Sequence, residues 1–169
     1  MPTGIRVGIA LKGSNLEIGV ICREKIVFST FSFFGRVKKR LKTELVKRGW
    51  EHDPDLDTQA GYLLERALCG EDVFDWSLLT TAQKRVLGEL SRVKEKITYG
   101  ELARRCGTSP RAVGSILRSN PFAPFIPCHR VVAKKGVGGF STGVEEKKKM
   151  LELETKASPH AWVPLRPCP

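Results

Sequence analysis

A thiol and an imidazole stand side by side in this sequence, at Cys128 and His129. Pro127 stiffens the backbone before them, and the β-branched pair 131–132 after them predicts a short buried strand. The thiolate is the nucleophilic form of cysteine, and a neighbouring base and positive charge favour it. Because His129 and Arg130 supply both, the segment predicts a nucleophilic cysteine. A structural cysteine followed by a histidine at the end of a strand is the alternative that these residues alone leave open.

Two further features follow the cysteine. The glycine-rich segment 136–143 predicts a flexible loop able to fold over a pocket, and its glycine spacing excludes a phosphate-binding P-loop. A final helix is expected from Val144 to about Leu153, and it carries the lysine run 147–149. Glu152 and Glu154 close this helix, and they are either solvated carboxylates or one of them orients His129.

Three short helices must position the cysteine. A capping box over residues 80–83 predicts a helix from Thr81 to Val93. Helices are also expected over Tyr99 to Arg105 and Pro110 to Ser119, each preceded by a capping hydroxyl. The turn between these two contains Gly107, so the pair is predicted to form a helix-turn-helix.

The third of these helices has two different faces. Its apolar residues share one face, which we expect to pack inward: Val113, Ile116 and Leu117. The opposite face is small in the middle and cationic at both ends: Arg111, Gly114, Ser115 and Arg118. Such a face lets a nucleic-acid backbone come close. Glycine in mid-helix costs about 1 kcal/mol relative to alanine, which favours a close partner over a glycine tolerated for helix packing.

The first half of the chain contains few residues that suggest catalysis or ligand binding. Three β-rich runs, Ile5 to Leu11, Leu16 to Cys22 and Ile26 to Phe33, have short connections and predict a small antiparallel sheet. Helices are expected from Arg36 to Trp50 and from about Thr58 to Leu68. We interpret the strongly basic face of the first helix as solvated rather than as a DNA contact.

Composition limits the class of protein. With 29 Lys and Arg against 18 Asp and Glu, the net charge of +11 favours a polyanionic partner, above all nucleic acid, over a merely basic soluble protein. The 169 residues are expected to form two domains, 1–76 and 77–169. Neither a secretory signal nor an apolar run of about 20 residues is visible, so we expect a cytoplasmic, nucleoid-associated protein.

Five cysteines are present without any C-x-x-C pair, which disfavours a regular zinc site. Asn and Gln occur only twice each, a scarcity that indicates a heat-adapted source. An intracellular disulfide, with Cys168 as one partner, is permissible in such a source.

Several segments, in this order, resemble the O6-alkylguanine-DNA alkyltransferases: Ser109-Pro110-Arg111-Ala112-Val113-Gly114, Asn120-Pro121, Pro127-Cys128-His129-Arg130-Val131, Phe140-Ser141-x-Gly143 and a closing Leu-Glu-x-Glu. The resemblance is strong from about Thr80 to Glu154. Before Thr80, only the hairpin-and-helix pattern is similar to the family's N-terminal domain. The resemblance therefore implies an α/β fold, with a ribonuclease-H-like N-terminal domain and a mostly helical C-terminal domain.

The resemblance also implies an activity, that of a methylated-DNA–protein-cysteine methyltransferase. Cys128 would accept the alkyl group in a single turnover, with His129 as its base through a bridging water and Glu154 holding the imidazole. Tyr99 would donate a proton or hydrogen bond to the departing guanine. Arg111 would enter the duplex in place of the flipped base. No metal and no cofactor are implied, and the implied partner of a monomeric protein is double-stranded DNA that contains O6-alkylguanine.

The resemblance assigns contacts with DNA or the damaged base to a further set of residues: Ala112, Gly114, Ser115, Arg118, Asn120, Val131, Val132, Phe140 and Ser141. Phe140 and Ala82 depart from the family, which usually has tyrosine and a bulky aromatic residue at these two positions. Two other classes remain open, a binding module with a structural Cys128 and a Cys-His hydrolase. A hydrolase needs an oxyanion hole, for which the sequence supplies no second donor.

Overall fold

The computed structural model describes residues 4–157, which form a mixed α/β chain with six strands and six helices. The described chain divides into two compact units. The N-terminal unit ends at Asp75 and the C-terminal unit begins at Trp76. No helix in the described range combines the length and the apolar character needed to cross a bilayer.

The N-terminal unit contains one four-stranded sheet in the order β3-β2-β1-β4. Its strands are β1 (Ile5–Lys12), β2 (Glu17–Cys22), β3 (Ile26–Ser32) and β4 (Trp50–His52). The three predicted strands are confirmed to within one residue at each end. These three strands pair antiparallel as predicted, but the sheet is mixed, because a fourth strand that was not predicted, β4, pairs in parallel with β1.

Two helices flank this sheet, α1 (Val37–Arg48) and α2 (Asp57–Leu68). Helix α1 ends two residues before the predicted end, because Gly49 adopts a left-handed conformation with φ 64° and its N–H closes the last turn. The chain after Gly49 is then extended, and Trp50 pairs with Ile5 at the start of β4. The core of the unit is apolar and lies between the sheet and α1: Val7, Ile21, Val27, Val37 and Leu41.

The C-terminal unit is mostly helical. In chain order it contains α3 (Thr81–Leu90), β5 (Ile97–Thr98), α4 (Tyr99–Cys106), α5 (Pro110–Arg118), β6 (Val131–Val132) and α6 (Val144–Ala157), with 3-10 turns at Trp76–Leu78 and Cys128–Arg130. The predicted capping box is confirmed, since the Thr80 hydroxyl accepts from the Gln83 N–H at 3.2 Å and the Gln83 amide oxygen accepts from the Thr80 N–H at 2.9 Å.

Two helix ends differ from the predictions. Helix α3 ends at Leu90 rather than Val93, because the N–H groups of Arg92 and Val93 bond to carbonyls only three residues back, in tight turns that do not continue the α-helix. Helix α6 continues to Ala157 rather than about Leu153. No glycine or proline interrupts it there, and the Lys156–Glu152 ion pair at 2.5 Å supports its last turn.

A two-residue parallel ladder organises the C-terminal unit. Strand β5 pairs with β6 through Ile97 opposite Val131 and Thr98 opposite Val132. Because α4 begins directly after β5, its first residue, Tyr99, is fixed to this ladder. The 3-10 turn that carries Cys128 ends where β6 begins, so the ladder brings these two residues into one region.

Candidate active site

Cys128 lines a cavity of about 390 Å³. Its side chain is nearly buried, with 5% of the residue exposed. The other residues that line the cavity come from α4, α5 and the glycine-rich loop: Tyr99, Pro110, Gly114, Leu117, Arg118, Gly139, Phe140 and Ser141. A cavity of this size falls in the range that encloses a small organic group.

The turn before Cys128 is fixed by Asn120. The Asn120 side-chain nitrogen donates to the Ile126 carbonyl at 3.1 Å, and its oxygen accepts from the Phe122 N–H at 3.0 Å. The Cys128 N–H bonds in turn to the Ile126 carbonyl at 2.8 Å. One amide side chain therefore holds both sides of the connection that leads from α5 to the thiol.

His129 is completely buried and is oriented by α6. Its Nε2 lies 2.8 Å from Glu154 Oε1. The carboxylate can only accept, so Nε2 carries the proton and Nδ1 keeps its lone pair. Within the described chain, Nδ1 is a buried atom without a hydrogen-bond partner. The geometry thus leaves this nitrogen available to accept a proton.

Arg130 completes the network from the other side of Glu154. Its Nε and Nη2 donate to the two carboxylate oxygens at 3.1 and 2.8 Å, and its Nη1 donates to the Val93 carbonyl at 2.6 Å. From the sequence, Arg130 could be recognised only as a positive charge near the thiol. Its side chain is buried, and it clamps the carboxylate that orients His129.

The pKa values follow from burial and these contacts. Burial raises the pKa of Cys128, although a hydrogen bond with Asn120 and the charge of Lys147 oppose this shift. Burial lowers the pKa of His129 against the opposing effect of Glu154. Burial would raise the pKa of Glu154, but hydrogen bonds from His129 and Arg130 lower it to about 2. At neutral pH the resting site is therefore a thiol beside a neutral imidazole and an ionised carboxylate.

Lys147 also lies at the candidate site, although in the sequence it is only one of a run of three lysines. Its side chain is fully buried, and Nζ donates to the carbonyls of Val131 at 2.6 Å and Gly139 at 3.1 Å. The same nitrogen lies 5.7 Å from the Tyr99 ring centroid and 5.8 Å from that of Phe140. Burial lowers the pKa of Lys147, and the negative charge of a Cys128 thiolate raises it. The ammonium thus joins β6, the glycine-rich loop and both aromatic rings beside the thiol.

Tyr99 is half-buried at the cavity wall, and its hydroxyl donates to the Gly139 carbonyl at 3.4 Å. Burial and the charge of Cys128 raise its pKa, against the effect of Arg118. Gly138 supports this position from the loop. Its φ is +77°, and a Cβ atom there would lie 3.1 Å from the Tyr99 ring, so any other residue would be strained.

The predicted nucleic-acid face of α5 is accessible. Arg111, Ser115 and Arg118 are exposed, and Ala112 and Gly114 are partly exposed. Arg118 and Gly114 line the cavity, whereas Arg111 does not. A Cβ atom at Gly114 would lie 4.0 Å from the Tyr99 ring, which is ordinary contact, so the protein's own packing does not require glycine there.

The remaining residues considered in the sequence differ in exposure. Val131 is buried, Val132 and Phe140 are partly exposed, and Ser141 is exposed at the cavity. Ala82 lies exposed in the first turn of α3. Glu152, the other carboxylate considered for His129, pairs with Lys156 instead.

The four cysteines in the described part of the chain divide into two groups. Cys69 is disulfide-bonded, whereas Cys22, Cys106 and Cys128 are free and buried. The expected participation of Cys168 in a disulfide lies outside the described residues.

Comparison with known proteins gives consistent matches. Residues 81–156 match the family model described as "6-O-methylguanine DNA methyltransferase, DNA binding domain". The chain is 36% identical over 160 residues to the methylated-DNA–protein-cysteine methyltransferase of Thermococcus gammatolerans, covering 85% of this chain and 91% of that relative. It is 48% identical over 86 residues to the protein of that name from Methanocaldococcus vulcanius, a match that spans 53% of that relative and 49% of this chain.

Solved structures extend the likeness to the fold. The O6-methylguanine-DNA methyltransferase of the hyperthermophilic archaeon Pyrococcus kodakaraensis superimposes with a TM-score of 0.68 at 32% identity, over 88% of this chain and 98% of that one. A Mycobacterium tuberculosis OGT in complex with DNA gives a TM-score of 0.60 over 96% of this chain and all of that one. Its identity is 23%, so it supports the fold alone. From the match over nearly the whole Thermococcus relative and the shared fold, we conclude that the chain belongs to the methylated-DNA–protein-cysteine methyltransferase family.

Proposed function

We propose that this protein repairs duplex DNA by transferring the alkyl group of an O6-alkylguanine to Sγ of its own Cys128. The observation that carries this proposal is the arrangement around the thiol. Cys128 faces a cavity sized for a small organic group, and beside it is a histidine with one nitrogen held by Glu154 and the other free. A nucleophile, a base and a group that orients the base are the parts that such a displacement needs.

The reaction is a displacement at carbon. His129 Nδ1 removes the Cys128 proton through a bridging water, and the sulfur attacks the alkyl carbon. The carbon–O6 bond breaks, and its electron pair returns to the purine, which takes up a proton and leaves as guanine. Tyr99, at the cavity wall, provides the hydrogen bond or proton to the departing base. The thiol proton is thus balanced by the proton gained by guanine.

The product explains why we propose a single turnover. Sulfur ends in a thioether, which has no polarised carbonyl that water could attack. Cys128 therefore cannot be regenerated by hydrolysis, and one protein molecule removes one alkyl group. A Cys-His hydrolase would need an oxyanion hole that stabilises a tetrahedral intermediate.

The DNA side of the proposal rests on the C-terminal unit. Helices α4 and α5 act as a helix-turn-helix, and α5 lies in the minor groove with its accessible small-residue face against the backbone. Arg111 occupies the position of the extruded guanine, which enters the cavity beside Arg118. Ala112, Gly114 and Ser115 permit the close approach of the backbone.

Other parts of the proposal concern base recognition and organisation. Ser141 hydrogen-bonds near O6, Phe140 covers the base, and Val131 and Val132 present backbone groups to its edge. Asn120 holds the connection from α5 to the thiol. The protein acts as a monomer of two domains, residues 1–76 and 77–169, and the first has a ribonuclease-H-like fold.

Intact-mass spectrometry on a duplex with one O6-methylguanine tests the function. We expect one methyl group per protein molecule, located on Cys128 by peptide mapping, and no further reaction when DNA is in excess. Cys106→Ala is the matched control, because Cys106 is another buried free thiol of the same unit, and this variant should react like the parent. An unmodified Cys128 after complete mixing contradicts the proposal.

Arg111→Ala is expected to slow repair of duplex DNA about 10- to 100-fold. The inserted arginine side chain offsets a few kcal/mol of the free energy needed to unstack the base, and alanine cannot do so. Reaction with a free O6-alkylguanine base should be unchanged, since that substrate needs no extrusion. Single-turnover rates on the two substrates measure the difference. Lys84→Ala removes another exposed cation of the same unit and should affect neither rate strongly. Equal losses on both substrates would show that Arg111 does not act through base extrusion.

A further inference from the structure

Helix α1 carries a concentrated positive charge that the proposed reaction does not use. Residues 36–48 contain seven Lys and Arg and one Glu, whereas the rest of the described N-terminal unit contains five Lys and Arg and ten Asp and Glu. Lys38, Lys39 and Lys42 are all exposed on this helix. The positive charge of the N-terminal unit is therefore gathered on one element, although the unit as a whole is nearly neutral.

The three lysines differ from most other cations of the unit in having no ion pair. Arg6 pairs with Asp53, Lys12 with Glu65 and Arg66 with Glu71. Within residues 4–157, no carboxylate lies within ion-pair distance of Lys38, Lys39 or Lys42. Even Glu44, the one acidic residue of α1, is engaged by Arg48 at 2.7 Å. The three ammonium groups are therefore available to an external anion.

This arrangement does not stabilise the helix. Lys38 and Lys42 are four residues apart and repel each other, and like charges at this spacing destabilise a helix by a few tenths of a kcal/mol. Lys38 and Lys39 also lie in the first turn, where positive charge opposes the helix dipole and no acidic residue balances it. A helix selected for stability alone would place acidic residues at these positions.

Although the sequence alone favoured a solvated basic face for this helix, we propose that Lys38, Lys39 and Lys42 form a second nucleic-acid contact, on the N-terminal unit, which binds the phosphate backbone of DNA without regard to sequence. Lysine is a point charge suited to phosphate, and such contacts give affinity without reading bases. Helix α1 contains no aromatic residue on which a base could stack, so the partner is the backbone rather than unpaired bases. The choice of DNA as the polyanion rests on the proposed function.

The test compares two double variants of the full chain. Lys38→Gln/Lys42→Gln removes two charges from α1, and Arg23→Gln/Lys25→Gln removes two exposed charges from the turn between β2 and β3 of the same unit. Fluorescence anisotropy with undamaged duplex DNA, repeated over a salt series, gives the slope of log affinity against log salt. For the α1 variant we expect this slope to become shallower by about 2, because each phosphate that a lysine neutralises contributes roughly 0.9 to it. The turn variant should keep the slope of the parent.

Two results would overturn the proposal. One is an α1 variant with the same salt slope as the parent, and the other is an equal change of slope in both double variants, which would show an effect of net charge alone. Alkylation of Cys128 by a free O6-alkylguanine base separates this proposal from the proposed function. We expect both variants to react at the parent's rate, because this substrate has no backbone. If Cys128 of the parent does not react, the proposed function fails, whereas the comparison of salt slopes still tests the α1 contact.

Discussion

Glu154→Gln is expected to slow alkyl transfer to Cys128 about 100-fold and to destabilise the fold by about 3 kcal/mol. The rate falls because the neutral amide no longer fixes the His129 tautomer or stabilises the imidazolium that forms. The fold is destabilised because the buried Arg130 loses the carboxylate that pairs with it, and breaking a buried ion pair leaves an uncompensated charge. Single-turnover kinetics and denaturant unfolding measure the two effects.

Glu152→Gln is the matched control for this variant. Glu152 lies on the same helix, is exposed and pairs with Lys156. Its replacement should leave both the rate of transfer and the free energy of unfolding close to those of the parent. If the two variants behave alike, the network around Glu154 has no special role.

The same carboxylate predicts a dependence of stability on pH. Hydrogen bonds from His129 and Arg130 lower the pKa of Glu154 from 4.5 to about 2 in the folded chain. The folded state therefore binds fewer protons at this group than the unfolded state. Its contribution to stability is fully present above pH 4.5 and is lost as the pH falls towards 2. The difference in unfolding free energy between the parent and Glu154→Gln should shrink over this interval, and a constant difference would contradict the assignment.

Lys147→Met is expected to move the reactivity of Cys128 to higher pH and to slow alkyl transfer at neutral pH by about tenfold. The charge of Lys147 lowers the pKa of Cys128, and the apolar methionine keeps most of the length of the side chain without that charge. Removal of the charge leaves burial as the main influence on the thiol, so its pKa rises. The rate of alkylation by iodoacetamide, measured against pH, reports the position of the thiol's titration directly.

Lys148→Met provides the comparison at the next residue. Lys148 is exposed, its Nζ lies 3.6 Å from Glu145, and it does not line the cavity. We expect its pH profile to coincide with that of the parent. A profile for Lys147→Met that also coincides with the parent would show that the buried ammonium does not influence the thiol.

Features set by local interactions could be predicted from the sequence. The capping box at Thr80 and Gln83 depends on residues three positions apart, and the structure confirms it. The start of α5 was equally local, since Ser109 caps the helix and Pro110 occupies its first position. The Cys-His pair was visible because its members are adjacent. Neighbours in sequence need little knowledge of the fold to be recognised as a unit.

Features that depend on distant contacts were missed. Strand β4 is three residues long, too short to show a period, and it is defined by parallel pairing with β1 more than forty residues away. Lys147 was hidden in a run of three lysines that gives no indication of which one points inward. A signal did exist, because Lys147 lies three residues before the buried Met150 and seven before Glu154, on the inward face of α6. The role of Arg130 depended on Val93, which no local pattern connects to it.

The short ladder between β5 and β6 determines how this chemistry can be transplanted. A synthetic peptide copied from the residues around the thiol would lack Tyr99, which directly follows the other strand of the ladder. An unrelated scaffold would therefore need two inserted segments, one with the tyrosine and one with the thiol, paired in the register of β5 and β6. It would also need a later helix that brings Glu154 to His129 and Lys147 to the Val131 carbonyl. A search for similar reactivity in other proteins should accordingly compare three-dimensional arrangements rather than a single linear motif.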